Sequence, residues 1–139
     1  MNARGFTLIE LIIAVAIVGI LSTIAIPSYQ AYIVRSQLIE ATNGLADMRV
    51  RMEQFYADNR TYAGGGGCGI PAPTLERFAL TCAAAGNGQA YTITATGSGT
   101  VNGFVYTIDQ ANQRATVSWG AGWGSVPGEG ATRWLTRKG

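Results

Sequence analysis

The 139-residue chain contains no histidine. That removes the commonest general base and the commonest metal ligand, and with it every Ser-His-Asp or Cys-His nucleophile arrangement. Lysine occurs once, as Lys138, and charged side chains make up only 13% of the residues. The remaining cations are scattered arginines with no basic run to follow a phosphate backbone, so nucleic-acid binding is not indicated. The two cysteines, Cys68 and Cys82, do not form a metal-type pair. The carboxylates Glu76, Asp109 and Glu129 lie far apart in sequence and lack the spacing of a calcium loop. Composition therefore leaves no catalytic residue, no metal site and no cofactor to assign. The length leaves room for one domain.

What the chain does have is unevenly placed. Hydrophobic residues reach 47%, yet the first fifth is a continuous apolar block and the rest is polar and glycine-rich. From Phe6 to Ile26 there are 21 residues with one ionisable side chain, Glu10. As a helix this stretch is about 31 Å long, matching a hydrocarbon core of about 30 Å. A conventional secretory signal has a shorter apolar region of about 7 to 15 residues followed by a small-residue cleavage site. The small residues around Ser22 to Ala25 keep that reading open, although Pro27 and Tyr29 follow. The hydrophilic leader Met1-Asn2-Ala3-Arg4-Gly5 stops abruptly against Phe6.

The run Arg4-Gly5-Phe6-Thr7-Leu8-Ile9-Glu10 resembles the class III signal of type IV pilins and pseudopilins. The likeness continues through Gly19, Pro27 and Ser28-Tyr29 and covers about the first 60 residues closely. The resemblance implies that a prepilin peptidase cuts after Gly5 and methylates the new N-terminal amine of Phe6. It implies that Glu10 pairs with the Phe6 amine of a neighbouring subunit and so sets axial register. It also implies that the Gly19-to-Pro27 stretch loses helical order when subunits pack into a filament.

Elementary physics bears on the same positions. A charge at a bilayer centre costs about 2.5 to 3.5 kcal/mol on insertion scales and usually marks function. Glu10 lies about 6 Å along the helix from Phe6, where headgroups and the helix N-terminus both favour a carboxylate. A buried ion pair adds little stability, but leaving one member unpaired is strongly unfavourable, which suits such a pair to register. Pro27 removes a helical donor and clashes with the carbonyl of Thr23, while Gly19 lowers helix propensity. The hydroxyls of Ser22 and Thr23 are expected to satisfy the freed backbone groups.

Beyond Pro27 the pattern becomes amphipathic. Val34, Leu38, Ala41, Leu45, Met48, Met52 and Phe55 recur at gaps of four and three, which is one helical face. The spacing predicts a single helix from Phe6 to about Asp58. Asn59 to Pro73, with Gly64-Gly65-Gly66-Gly67, reads as a flexible connector. Alternation in Tyr91–Thr96, Phe104–Ile108 and Ala115–Trp119 predicts an antiparallel meander whose apolar face covers the helix stripe. A further short strand is expected around Phe78 to Cys82. The tail from Gly120 is expected to be irregular, with Trp123 and Trp134 anchoring it to the sheet. If Arg4 stays cytoplasmic, as the positive-inside tendency has it, Cys68 and Cys82 lie in an oxidising compartment and read as a disulfide. That departs from the family pattern, in which the disulfide closes a loop near the C-terminus.

The expected fold class is α+β: a long N-terminal α-helix, half transmembrane and half amphipathic, packed on a C-terminal antiparallel sheet. Residues 1–5 read as leader, 6–27 as the transmembrane and filament-core helix, and 28–139 as the head. The resemblance implies a structural pilus subunit, not an enzyme, that passes from the inner membrane to a surface filament used in adhesion, motility or DNA uptake. Its expected partners are copies of itself, other pilins, the prepilin peptidase and the inner-membrane assembly machinery. A type II secretion pseudopilin and a singly anchored extracytoplasmic binding module are the alternatives.

Overall fold

A computed structural model of the chain describes residues 6–138. Those residues fall into two compact units that divide between Ile33 and Val34. Helix α1 (Leu8–Asn59) runs for 52 residues with Pro27 inside it. Its stripe residues Leu38, Ala41, Leu45, Met48 and Met52 are fully buried, as the four-three spacing requires. The helix stops where Arg60 turns left-handed, at φ 59°, and its N–H closes on the Tyr56 carbonyl at 2.8 Å.

The glycine-rich connector is more ordered than its composition suggests. Strands β1 (Ala63–Gly64) and β2 (Gly67–Cys68) pair as a small antiparallel hairpin. Gly65 and Gly66 both take positive φ, 59° and 92°, which is what a tight two-residue hairpin turn demands and what glycine supplies without steric cost. Next to it Gly69 lies against the Phe55 ring, where any Cβ would overlap. Cys68 is bonded to Cys82 across 14 residues, tying this hairpin to the sheet. Closing a loop of that length contributes about 3 kcal/mol in the chain-entropy model.

The main sheet is a meander. Strands β3 (Phe78–Ala85), β4 (Ala90–Gly97), β5 (Val105–Asp109) and β6 (Arg114–Ser118) are antiparallel neighbours in chain order. The strand expected at Phe78 is real and reaches Ala85. Alternate residues Phe78, Leu80, Tyr91, Ile93, Ala95, Tyr106 and Ile108 join the helix stripe and Phe104 in one core.

Strand β6 departs from the predicted alternation. Val105 pairs with Ser118 and Tyr106 with Thr116, so Val117 is the extra residue of a bulge. Val117 is 58% exposed, and Thr116 is buried in its place. The inward position goes to a threonine because the tail uses its hydroxyl. Thr116 Oγ1 donates to the Arg133 carbonyl at 3.0 Å and accepts the Leu135 N–H at 2.8 Å. Tyr106 donates its hydroxyl to the Leu135 carbonyl at 2.7 Å, and Trp134 Nε1–H donates to the Thr107 carbonyl at 2.8 Å. The tail is irregular but held.

At the C-terminal end of α1, Glu53 accepts hydrogen bonds from Tyr62 at 3.0 Å and Tyr91 at 3.1 Å. Burial, reinforced by the Glu53 carboxylate, pushes both phenols above the ordinary tyrosine range, and burial alone does so for Tyr106. Folding thus favours the protonated phenols. Their contribution is fully present below about pH 10, the ordinary tyrosine value, and is lost as the pH rises past it. Alkaline titration followed by circular dichroism is expected to unfold the head above about pH 10. Tyr91→Phe, which has no proton to lose, is expected to flatten that dependence relative to the wild type.

Candidate assembly site

The first described residue, Phe6, is 91% exposed, and every residue from Phe6 to Ile20 is exposed within the chain, the least of the large aliphatics by about half. Leu8, Ile9, Leu11, Ile12, Ile13, Val15, Ile17, Val18 and Ile20 all present apolar surface outward. This helix is long and apolar enough to cross a membrane by length and composition. Gly5, the expected cleavage residue, lies outside the described residues, as does Arg4.

Glu10 closes the start of α1. The Thr7 N–H donates to Glu10 Oε2 at 3.0 Å, and the Thr7 hydroxyl donates to the same oxygen at 2.8 Å. The Glu10 N–H in turn donates to Thr7 Oγ1 at 3.3 Å, and the Leu11 N–H donates to the Thr7 carbonyl at 3.2 Å as the first helical bond. This is a capping box, with Thr7 at the N-cap and Glu10 three residues on. It satisfies backbone donors that a helix start otherwise leaves open. The Thr-x-x-Glu spacing carries the signal in the sequence; reading Glu10 as a lone charge in an apolar run hides it, and Thr7 with it.

The weak segment is helical throughout. A Cβ added at Gly19 meets nothing within 4 Å, so no packing inside the chain requires glycine there. Ser22 Oγ donates to the Val18 carbonyl at 2.7 Å and Thr23 Oγ1 to the Ile20 carbonyl at 2.6 Å. Neither hydroxyl reaches the Thr23 carbonyl, the acceptor that Pro27 cannot serve. The structure does not bring Gly19, Pro27 and Glu10 together; they share only the helix. Cys68 and Cys82 are joined in the head.

Residues 1–26 match the prokaryotic N-terminal methylation motif, and residues 27–113 match the family described as "Type IV minor pilin ComP, DNA uptake sequence receptor". The chain belongs to the type IV pilin family. It is 37% identical over 103 residues to the fimbrial protein EcpC of Eikenella corrodens, a match covering 72% of this chain and 67% of that protein. It is 32% identical over 120 residues to prepilin peptidase-dependent protein D of Escherichia coli K12, covering 84% and 80%. With the type IV major fimbrial protein FimA of Dichelobacter nodosus it shares 51% identity over 57 residues, covering 41% and 36%. The chain thus spans about two thirds of the first of these pilins and little more than a third of FimA. Its function is that of its family, a structural subunit of a type IV pilus.

Removing the Thr7 hydroxyl is expected to weaken the pilin's N-terminal cap. Thr7→Val should cost about 1 kcal/mol locally, read as roughly fivefold faster amide exchange at Glu10 in detergent micelles, with Thr7→Ser close to the wild type.

Proposed function

We propose that this pilin is a membrane-anchored precursor, cut after Gly5 and methylated on Phe6, that polymerises through α1 into a surface filament with Glu10 fixing the register. The carrying observation is the outward-facing apolar surface of the helix with a single carboxylate near its start. Such a surface needs an external cover, first lipid and then other copies. In the filament the Glu10 carboxylate accepts the Phe6 amine of a neighbour, and methylation leaves that amine's charge in place. The partners of this reading are copies of the chain, other pilins, the prepilin peptidase and the inner-membrane assembly machinery. The singly anchored module keeps its leader and stays monomeric; the pseudopilin shares the processing but builds a short periplasmic fibre.

Mass spectrometry of the native product is expected to give a chain beginning at methylated Phe6. Electron microscopy of sheared cell-surface material should show filaments containing it. Glu10→Ala is expected to be cut and inserted like the wild type while filament yield falls sharply. Normal yield from that variant would remove the register role.

One observation favours a second reading of the head, contact with DNA. The tail folds a tryptophan against an arginine of the sheet and itself carries three further cations, Arg133, Arg137 and Lys138. The Arg114 guanidinium stacks over the Trp134 ring at 4.8 Å, and Lys138 Nζ reaches the Gly122 carbonyl at 2.5 Å, with Arg133 and Arg137 in the same six-residue tail. Cations next to an aromatic plane suit phosphate contact with base or sugar stacking. The family description of residues 27–113 names a DNA uptake sequence receptor; Arg114 adjoins that stretch and the tail lies beyond it. On this reading the soluble head retards duplex DNA, and Arg137→Ala/Lys138→Ala lowers affinity at every sequence tested. The slope of log affinity against log salt should fall by about one to two. A head that leaves DNA unretarded at low salt returns the role to filament structure alone.

A further inference from the structure

The aromatic residues of the helix bracket its apolar run and are absent from its middle. Phe6 opens the run; from Thr7 to Ser28 there is no Phe, Tyr or Trp; then Tyr29 and Tyr32 follow within one helical turn. Both tyrosines are two-thirds exposed, at 66% and 65%. Their spacing of three residues puts them on neighbouring lines of the same helix surface. From Phe6 to Tyr29 the helical rise is about 35 Å, slightly more than a hydrocarbon core of about 30 Å. An outward tyrosine at that distance stands at the level where apolar chains give way to carbonyls and headgroups. The segment changes character at the same place: Ile24 and Ile26 are exposed aliphatics, while Pro27, Ser28 and Gln30 are polar or helix-weakening.

We infer that Tyr29 and Tyr32 form an interfacial anchor that seats the precursor in the outer headgroup layer of the membrane and thereby sets the depth of the whole span. The occupant of this surface is the lipid interface. An aromatic ring with a hydroxyl tip suits that layer, since its body prefers the hydrocarbon edge and its tip prefers water. The helix is a fixed ruler, so holding one end fixes the other. With the tyrosines at the outer interface, Phe6 and the bond preceding it come to the opposite one, within reach of a peptidase working there. The inference rests on the membrane-anchored reading above and adds to it two residues that do not touch the cleavage site.

The test uses the full-length precursor in phosphatidylcholine–phosphatidylglycerol vesicles with a nitroxide on Ser28→Cys. The native cysteines are joined to each other, so the label goes to the introduced thiol. Depth is read from the relative relaxation by oxygen and a water-soluble nickel complex. Tyr29→Ala/Tyr32→Ala is expected to move the label by about one to two residue rises, roughly 1.5–3 Å, and to slow leader removal by added peptidase. Tyr29→Trp/Tyr32→Trp, which keeps an interfacial ring, should hold the wild-type depth. The same depth in the alanine variant would overturn the inference. So would an unchanged depth combined with loss of filaments, which would make the tyrosines a subunit contact. A wild-type chain that does not insert overturns the anchored reading itself, whereas insertion with no dependence on the tyrosines overturns this inference alone.

Discussion

The apolar surface of α1 that the chain does not cover is the constraint on which everything else depends. Exposed aliphatics from Leu8 to Ile26 represent a large unfavourable free energy in water at about 25 cal/mol per Å². Soluble monomers rarely expose apolar patches larger than a few hundred Å², and larger ones mark contact with a membrane or another protein. The surface is therefore fitted to an apolar cover, and the two coverings available to a pilin are lipid and other copies of the same helix. Since lipid tails are as apolar as the helix, hydrophobicity does not decide between them. Packing, hydrogen bonds and charge pairing do, which is why one carboxylate in that run carries so much of the functional argument.

The C-terminal half of α1 solves the same problem internally. From Val34 onward the stripe Leu38, Ala41, Leu45, Met48 and Met52 is covered by residues of the meander. The sheet has two free edges and one long connector, and each is tied. The disulfide fastens the glycine hairpin to β3, the Glu53–Tyr62–Tyr91 bonds join helix end to β4, and Thr116 with Tyr106 hold the tail. A head built this way keeps its shape while its anchor changes surroundings, a reasonable requirement for a subunit that leaves one solvent for another.

Much of this was legible in the sequence because it rests on periodicity and on one short motif. The helix stripe, the strands β4 and β5, and the Cys68–Cys82 pairing follow from spacing and compartment. What was not legible depends on tertiary partners. Ala115, Val117 and Trp119 alternate as a buried strand should, but the bulge at Val117 and the tail's demand for a hydroxyl put Thr116 inside. The four-glycine run reads as loose by composition, yet two positive-φ glycines at its centre make a tight turn. Arg114 and Trp134 are twenty residues apart in sequence and come together only because the tail folds back. The Thr7–Glu10 box was in plain view, hidden by the stronger expectation that a charge in an apolar helix must look outward for its partner.

That last oversight bears on how one carboxylate serves two partners. Both bonds from Thr7 into the Glu10 side chain fall on Oε2. An ionised carboxylate has two oxygens and about four acceptor sites, so a self-cap and a bond from a neighbouring amine do not compete for the same lone pairs. The cap also changes what a lone subunit has to tolerate. Glu10 in lipid is partnered by its own helix start, and the cost of its charge is reduced before any neighbour arrives. What the proposed pairing with a neighbouring Phe6 amine would add is the opposite charge, which the Thr7 donors do not supply. On the proposed register role, the choice is between a carboxylate that is hydrogen-bonded and one that is hydrogen-bonded and neutralised, a smaller difference than burying a bare charge would give. If Glu10 takes that role, a modest difference of this kind would let a subunit wait in the membrane and, repeated along a filament, would favour one alignment of helices over its neighbours one turn away.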